Sequence, residues 1–269
     1  MRIVQITDTH IVAKDTHWLS EPSTETSQRL SRAIHQINQL APDAVILTGD
    51  AVDDGAAASY EHLQELLAPL KAPLFVTPGN HDDRGCLRQA FSLPAGFIQY
   101  TVDAFPVRLI CLDSHVPGEG GGLLCSERLD WLEAALETHP EKPTLLFLHH
   151  PPAKTGMKCF DKILLAPSPR FESLVRSHPQ ILALLCGHFH HPCVTTYGSK
   201  LCYLAPSVAP VHYFAHPDDD EPSAIELEDP AITLHQITGS VLCSQVIRLK
   251  DNPRRLDWSK KNKSQNSKK

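Results

Sequence analysis

The sequence predicts an α/β layered domain, on three observations: six short apolar runs, amphipathic segments between them, and metal-ligand residue types closing five of the six runs. The runs occupy residues 3–6, 44–47, 74–76, 109–112, 145–148 and 181–185, each short and mostly branched, as buried strands require. The first starts almost at once. Met1-Arg2-Ile3-Val4-Gln5-Ile6-Thr7-Asp8 reaches a polar cluster too early for the apolar core of a signal peptide. The segment 24–40 carries Leu30, Ala33, Ile34, Ile37 and Leu40 on an i, i+3, i+4, i+7 stripe and reads as a helix. Ser23 or Thr24 is placed to cap that helix and Ala41-Pro42 to end it. Shorter helices are predicted at 60–67, 87–91 and 127–136, with Ser126 as cap of the last. Beyond Leu204 the texture changes, and Pro206, Pro210, Pro217, Pro222 and Pro230 punctuate short segments. Strands are predicted there at 225–227, 231–234 and 240–249, with Thr238-Gly239 as a turn. The expected organisation is a core over 1–205, strands over 206–250 that complete or cap it, and a basic, disordered tail over 251–269.

A chain of 269 residues can bury one good-sized core, and 42% hydrophobic with 21% charged residues excludes a disordered chain. No eighteen apolar residues run unbroken, so no membrane span or membrane partner is expected. From Arg248 onward nine Lys and Arg face two Asp, a surplus of seven positive charges, so the preceding residues carry −13 against −6 for the whole chain. An acidic body with only a basic tail argues against a nuclease and against a nucleic-acid partner. None of the eight cysteines forms a C-x-x-C pair, which argues against a thiolate zinc site. Cys111 and Cys186 sit inside apolar runs and read as small core residues. Without an export signal the cysteines are expected as reduced thiols of a cytoplasmic protein.

The chemistry lies in the clusters. The first run leads to Asp8-Thr9-His10, the second to Gly49-Asp50 and the third to Gly79-Asn80-His81-Asp82. The fifth leads to His149-His150-Pro151-Pro152 and the sixth to Gly187-His188-Phe189-His190. Each cluster follows a strand's C-terminal end, the edge at which open α/β sheets build ligand sites. Carboxylates, an amide oxygen and imidazoles suit divalent Mn, Fe or Zn, and one carboxylate can bridge two ions. Any one of these motifs occurs often as a plain turn or strand end; five in this order, each after a strand, do not.

As an ordered set, Asp8-x-His10, Gly49-Asp50, Gly79-Asn80-His81-Asp82, His149 and Gly187-His188-x-His190 resembles the signature of the calcineurin-like metallophosphoesterases. The Gly-Asn-His-Asp-Asp-Arg and Leu-His-His-Pro-Pro versions are most similar to bacterial class III cyclic-nucleotide phosphodiesterases and the glycerophosphodiesterases related to them. The resemblance implies a four-layer sandwich of two mixed β-sheets flanked by helices, with two divalent metal ions at the strand ends. It implies that Asp8, His10, Asp50 and His190 hold one ion and that Asp50, Asn80, His149 and His188 hold the other, with Asp50 as the bridge. It implies His149 rather than His150 as the ligand. His81 is then expected to face the substrate phosphate and protonate the leaving oxygen, with Asp82 orienting it; Asp82 and Asp83 read equally well as helix-capping acids.

The reaction implied is hydrolysis of a phosphodiester by a hydroxide bridging the metals, with no covalent enzyme intermediate. Its small-molecule substrate is expected to be 3',5'-cyclic AMP or another cyclic nucleotide, with a glycerophosphodiester and then a phosphomonoester as alternatives. A purple-acid-phosphatase variant is disfavoured, because Ala51-Val52-Asp53-Asp54 lacks the iron-binding Tyr. A non-catalytic scaffold is disfavoured because no ligand is missing; a homo-oligomer is left open. Segments 118–125 and 206–221 are expected at the rim, together with His115, His191, His212 and His216. His17, His35, His62, His139, His178 and His235 are expected at the surface.

Overall fold

A computed structural model describes residues 1–250, so the tail expected over 251–269 lies outside the described residues. In chain order the strands begin with β1 (Arg2–Ile6), β2 (His17–Trp18), β3 (Glu21–Pro22), β4 (Ala44–Thr48), β5 (Leu74–Thr77), β6 (Tyr100–Val102), β7 (Arg108–Cys111) and β8 (Thr144–Phe147). They continue with β9 (Ile181–Cys186), β10 (Cys193–Tyr197), β11 (Lys200–Leu204), β12 (Val211–Tyr213), β13 (Ala224–Glu226), β14 (Ala231–Thr238) and β15 (Val241–Arg248). The helices are α1 (Thr24–Leu40), α2 (Ala57–Leu67), α3 (Arg84–Phe91), α4 (Ser126–Glu137) and α5 (Pro169–Ser177).

Two mixed sheets face each other. One has the order β15-β14-β1-β4-β5, the other β10-β11-β9-β8-β7-β6. Within them β1, β4 and β5 are mutually parallel, as are β7, β8 and β9, so these strands end on a common edge. Side-chain alternation explains the layering. On β1, β4, β7, β8 and β9, Ile3, Ile46, Leu109, Phe147 and Leu185 fill the space between the sheets. Their neighbours Val4, Val45 and Leu47 pack outward on Leu30, Ile34 and Ile37 of α1 and Leu63 of α2. Ile110, Leu146 and Leu184 pack outward on Leu132 of α4 and Phe171 of α5. The result is a four-layer α/β/β/α sandwich. Strands buried on both faces account for unbroken apolar runs in place of alternation. Among the described residues, no helix is long and apolar enough to cross a membrane.

Several local expectations need correction. Ser126 does not cap α4: it is the first helical residue, and Cys125 takes the cap position without a side-chain bond. Ser23 occupies the cap position of α1, also without a side-chain cap bond. The late turn is one residue further on, since β14 runs through Thr238. Helix α5 escaped the sequence reading although Ser168 caps it, its hydroxyl accepting the Phe171 N–H at 3.2 Å. Pro167 and Pro169 flank that cap and give the segment the look of a loop. β10 was missed because Cys193–Tyr197 is half-exposed and polar, and β11 was missed although Cys202, Tyr203 and Leu204 are buried. His62 and His235 are buried, not surface residues. His62 bonds the Val12 carbonyl at 2.7 Å, and His235 sits between Gln5 and Ser244 at 3.0 and 2.8 Å.

Candidate metal centre

All seven residues expected as ligands meet at the common strand edge. The first sheet delivers Asp8 and His10 after β1, Asp50 after β4 and Asn80 after β5; the second delivers His149 after β8 and His188 and His190 after β9. Hydrogen bonds fasten the two edges together. The His149 imidazole bonds the Thr48 carbonyl at 2.8 Å, the His188 N–H donates to Asp8, and the Ala209 N–H donates to the Asp8 carbonyl at 3.0 Å. The turns are tight. Asp8, His10, Asp50, His188 and His190 all have φ between +43° and +71°, a region costly for residues with a Cβ. Gly49, at φ +88°, lies against the His149 ring, where an added Cβ would come within 2.4 Å of Nδ1.

The polar atoms converge in two overlapping groups. Asp8, His10 and His190 form one; Asp8, Asp50 and His149 form another; His149, His150 and His188 stand beside it. Asp50 Oδ2 is 3.2 Å from His149 Nε2 and 3.7 Å from His10 Nε2, so one carboxylate touches both sides. Asn80 Oδ1 is 3.0 Å from His149 Nε2. Pairs of imidazole nitrogens approach each other at 3.3 Å (His10–His190) and 3.1 Å (His149–His188), and His188 Nε2 is buried without a hydrogen-bond partner among the described residues. Crowded lone pairs and an orphaned buried nitrogen are what a cation would satisfy. The donor set therefore fits a centre of two divalent ions.

The electrostatics agree. Burial opposes ionisation of Asp50, yet His149, His10 and His81 outweigh it and hold the carboxyl well below its usual range. Burial likewise opposes a charge on His149, but Asp50 and Asp8 raise its pKa to about 9. His150 differs: although it lies in reach of His149 and His188, its Nδ1 already pairs with the Ser114 hydroxyl at 2.8 Å and its Nε2 with the Gly120 carbonyl at 3.2 Å.

His81 stands at the opening. Its Nδ1 donates to the Asp53 carbonyl at 2.7 Å, leaving Nε2 as the free nitrogen. Burial works against its charged form, and Asp50 and Asp53 overcome this and raise its pKa above the usual histidine value. Asp82 does not orient His81. Its buried carboxylate accepts the Tyr60 hydroxyl and the Gly79 N–H at 2.8 Å each and the Ala51 N–H at 3.3 Å, pinning the loop after β4 to the loop after β5. Asp83 caps α3, accepting the Cys86 N–H at 2.8 Å.

Asp53 and Trp18 were not singled out in the sequence. Asp53 Oδ1 receives His10 Nδ1 at 2.8 Å and the Trp18 indole N–H at 3.0 Å, tying the β2–β3 hairpin to the metal-ligand cluster. A cavity of about 390 Å³ opens over the cluster, walled by Trp18, Leu19, Phe160, Ile163, Pro222 and Ile225, with the His212 ring tilted against the His190 ring at 4.8 Å between centroids. Of the segments expected at the rim, 206–221 contributes His212. Gly120, Gly121, Gly122 and Leu123 line a separate groove of about 850 Å³ that shares Ile163 with the cavity. His115 is buried and does not line the cavity, and His216 is exposed.

A family model described as Calcineurin-like phosphoesterase matches residues 1–192. A probable glycerophosphodiester phosphodiesterase, GpdQ, from Arcobacter nitrofigilis is 36% identical over 88% of this chain and 89% of its own length. The 3',5'-cyclic adenosine monophosphate phosphodiesterase CpdA of Escherichia coli K12 is 33% identical over 77% of this chain and 76% of its own. A dimetal phosphatase from Danio rerio superimposes with a TM-score of 0.68 over 93% of this chain and 99% of its own, at 17% identity, a likeness of fold.

Proposed function

The chain belongs to the calcineurin-like phosphoesterase family, and from that premise we propose that it is a metal-dependent phosphodiesterase acting on 3',5'-cyclic AMP or another cyclic nucleotide. The observation that carries this is the convergence of seven ligand-type residues from both sheets, with Asp50 in reach of both groups and His81 beside them. Asp8, His10, Asp50 and His190 would hold one divalent ion, of Mn, Fe or Zn; Asp50, Asn80, His149 and His188 would hold the other. When bound, such ions supply an acidified water as nucleophile and positive charge for the phosphoryl oxygens.

The chain's own residues do the rest. Asp53 fixes the His10 tautomer through Nδ1, and the Thr48 carbonyl does the same for His149. His81, with Nδ1 committed to the Asp53 carbonyl, presents Nε2 to the leaving oxygen, the position from which it would donate a proton. Water's oxygen bonds to phosphorus, one ester P–O bond breaks and its oxygen takes the proton; a cyclic nucleotide opens to a single nucleoside monophosphate with a freed hydroxyl, and an acyclic diester gives a monoester and an alcohol.

A glycerophosphodiester is the second reading, supported by 36% identity with GpdQ of Arcobacter nitrofigilis over 88% of this chain. The catalytic core would span 1–205, with 206–250 completing it through β14 and β15, in a cytoplasmic protein. A panel of bis-p-nitrophenyl phosphate, cyclic AMP and glycerophosphodiesters tests the reading. Hydrolysis of cyclic AMP above the others is the expected result; turnover of glycerophosphodiesters alone would transfer the assignment to the second reading, and no diester turnover in metal-loaded protein would reject both.

A further inference from the structure

Beside the cavity over the cluster runs the larger groove of about 850 Å³, joined to it through Ile163. Two segments clipped edge to edge form its wall. The Gly122 N–H donates to the Leu164 carbonyl at 3.1 Å, and the Ala166 N–H to the Gly122 carbonyl at 2.8 Å. Val116, Leu123, Pro152, Ile163, Leu164 and Leu165 make the lining aliphatic. Its polar groups are committed or exposed. Asp161 accepts the Thr155 N–H and hydroxyl at 2.7 and 2.9 Å, Lys162 pairs with Asp220, Glu172 pairs with Arg176, and Glu119 and Lys154 face solvent. Gly122 is required by packing, since an added Cβ would come within 2.5 Å of the His150 ring. Gly120 is not: its φ is not positive, and a Cβ there would meet Ile163 at an ordinary 3.6 Å. What glycine does at 120 is leave the groove open. The Gly120 carbonyl accepts His150 Nε2, and the His150 ring lies 4.8 Å from the rings of His149 and His188. One side chain therefore separates the groove's wall from the metal-ligand cluster.

We propose that this groove takes the hydrocarbon chain of a single-chain phosphodiester, an alkyl or monoacyl ester, while its phosphate sits at the metal centre. The inference rests on the phosphodiesterase reading and extends it to a diester larger than a cyclic nucleotide or a glycerophosphodiester. A second nucleobase would ask for unpaired buried polar atoms or an open aromatic face. Among the described residues the groove has none of the first, and its Tyr197 ring is packed on Phe171 at 5.4 Å with its hydroxyl bonded to the Ser168 carbonyl. A hydrocarbon chain asks only for an aliphatic surface continuous with the centre. Water's oxygen bonds to phosphorus, the P–O bond to the polar alcohol breaks, and that alcohol leaves with the proton; the chain-bearing monoester remains.

The test varies the chain alone. Methyl, butyl and octyl phosphocholine, each below its micelle concentration, are given to the full-length, metal-loaded protein, with bis-p-nitrophenyl phosphate as a diester without a chain. From butyl to octyl, kcat/KM is expected to rise about tenfold or more, mainly through KM, since each methylene taken from water is worth a factor of up to about four. Calorimetry with octyl phosphocholine follows binding apart from turnover. Two variants close the groove: Leu123→Asp, at an exposed position, makes it polar, and Gly120→Leu fills it. Each is expected to cut the chain-length gain at least about fivefold and to leave bis-p-nitrophenyl phosphate turnover unchanged. A flat chain-length series, or a gain that both variants keep, would overturn the proposal. So would a wild-type dimer in sedimentation that Leu123→Asp splits, since a second copy then covers the groove. If bis-p-nitrophenyl phosphate is not cleaved, the phosphodiesterase reading fails by itself, and the calorimetry still decides: chain-dependent binding lost in the variants keeps the groove assignment, and its absence in wild type removes it.

Discussion

His81 shows how one side chain can be separated from the ions it would serve. Its Nδ1 is held by the Asp53 carbonyl, its ring packs edge-on to His10 at 4.7 Å, and its free nitrogen faces the opening. His81→Ala is therefore expected to keep both metals. It should lower kcat by about 10²–10⁴ for a diester with a poor leaving group and much less for a p-nitrophenyl ester, which departs without a proton. A loss of equal size for both esters would mean that His81 binds phosphate instead of protonating the leaving oxygen. The residue itself was legible in the Asn80-His81-Asp82 run. Its partner Asp53 was not, because the bond depends on how the loop after β4 turns back beneath His10. Asp82 was legible as an acid but not in its task, since only the fold places Gly79, Ala51 and Tyr60 around one carboxylate.

At the scale of elements, strand β14 carries an ionisable group in a place that costs acid stability. His235 is fully buried between Gln5 and Ser244, against the Tyr203 ring, and burial pushes its imidazole down to about 3. The unfolded chain's histidine titrates near 6.5, so below that pH the unfolded state takes up a proton that the folded state refuses. The contribution of neutral His235 is complete above about pH 6.5 and is lost as pH falls from there toward 3, at up to about 1.4 kcal/mol per pH unit. Urea unfolding at pH 7.5 and pH 5 should show wild type losing about 2 kcal/mol more than His235→Gln over that interval. Equal losses would show that the imidazole is protonated in place or that the site opens readily. Sequence reading placed this histidine at the surface because it lies outside the ligand motifs and just past the strand expected at 231–234. In the fold β14 continues through it and Gln5 supplies a polar partner inside.

At the scale of the whole molecule, the six apolar runs became the six parallel strands β1, β4, β5, β7, β8 and β9, and α1 has the bounds its stripe predicted. That much was legible because burial on both faces writes an unbroken apolar run and a helix writes its own period. The division of the strands between two sheets was not, since apolar periodicity reports burial and not partners. The division matters for function: four of the seven ligand-type residues come from the first sheet and three from the second. Asp50 lies within 4 Å of an imidazole on each side, at 3.7 Å from His10 and 3.2 Å from His149. The two ions should therefore bind as one unit spanning both sheets, and metal content measured on the full chain beside Asp50→Ala tests this most directly. Wild type should hold two divalent ions per chain and Asp50→Ala fewer than one, with its fold retained by circular dichroism; two tightly bound ions in a folded Asp50→Ala protein would contradict the bridge and the binuclear centre built on it.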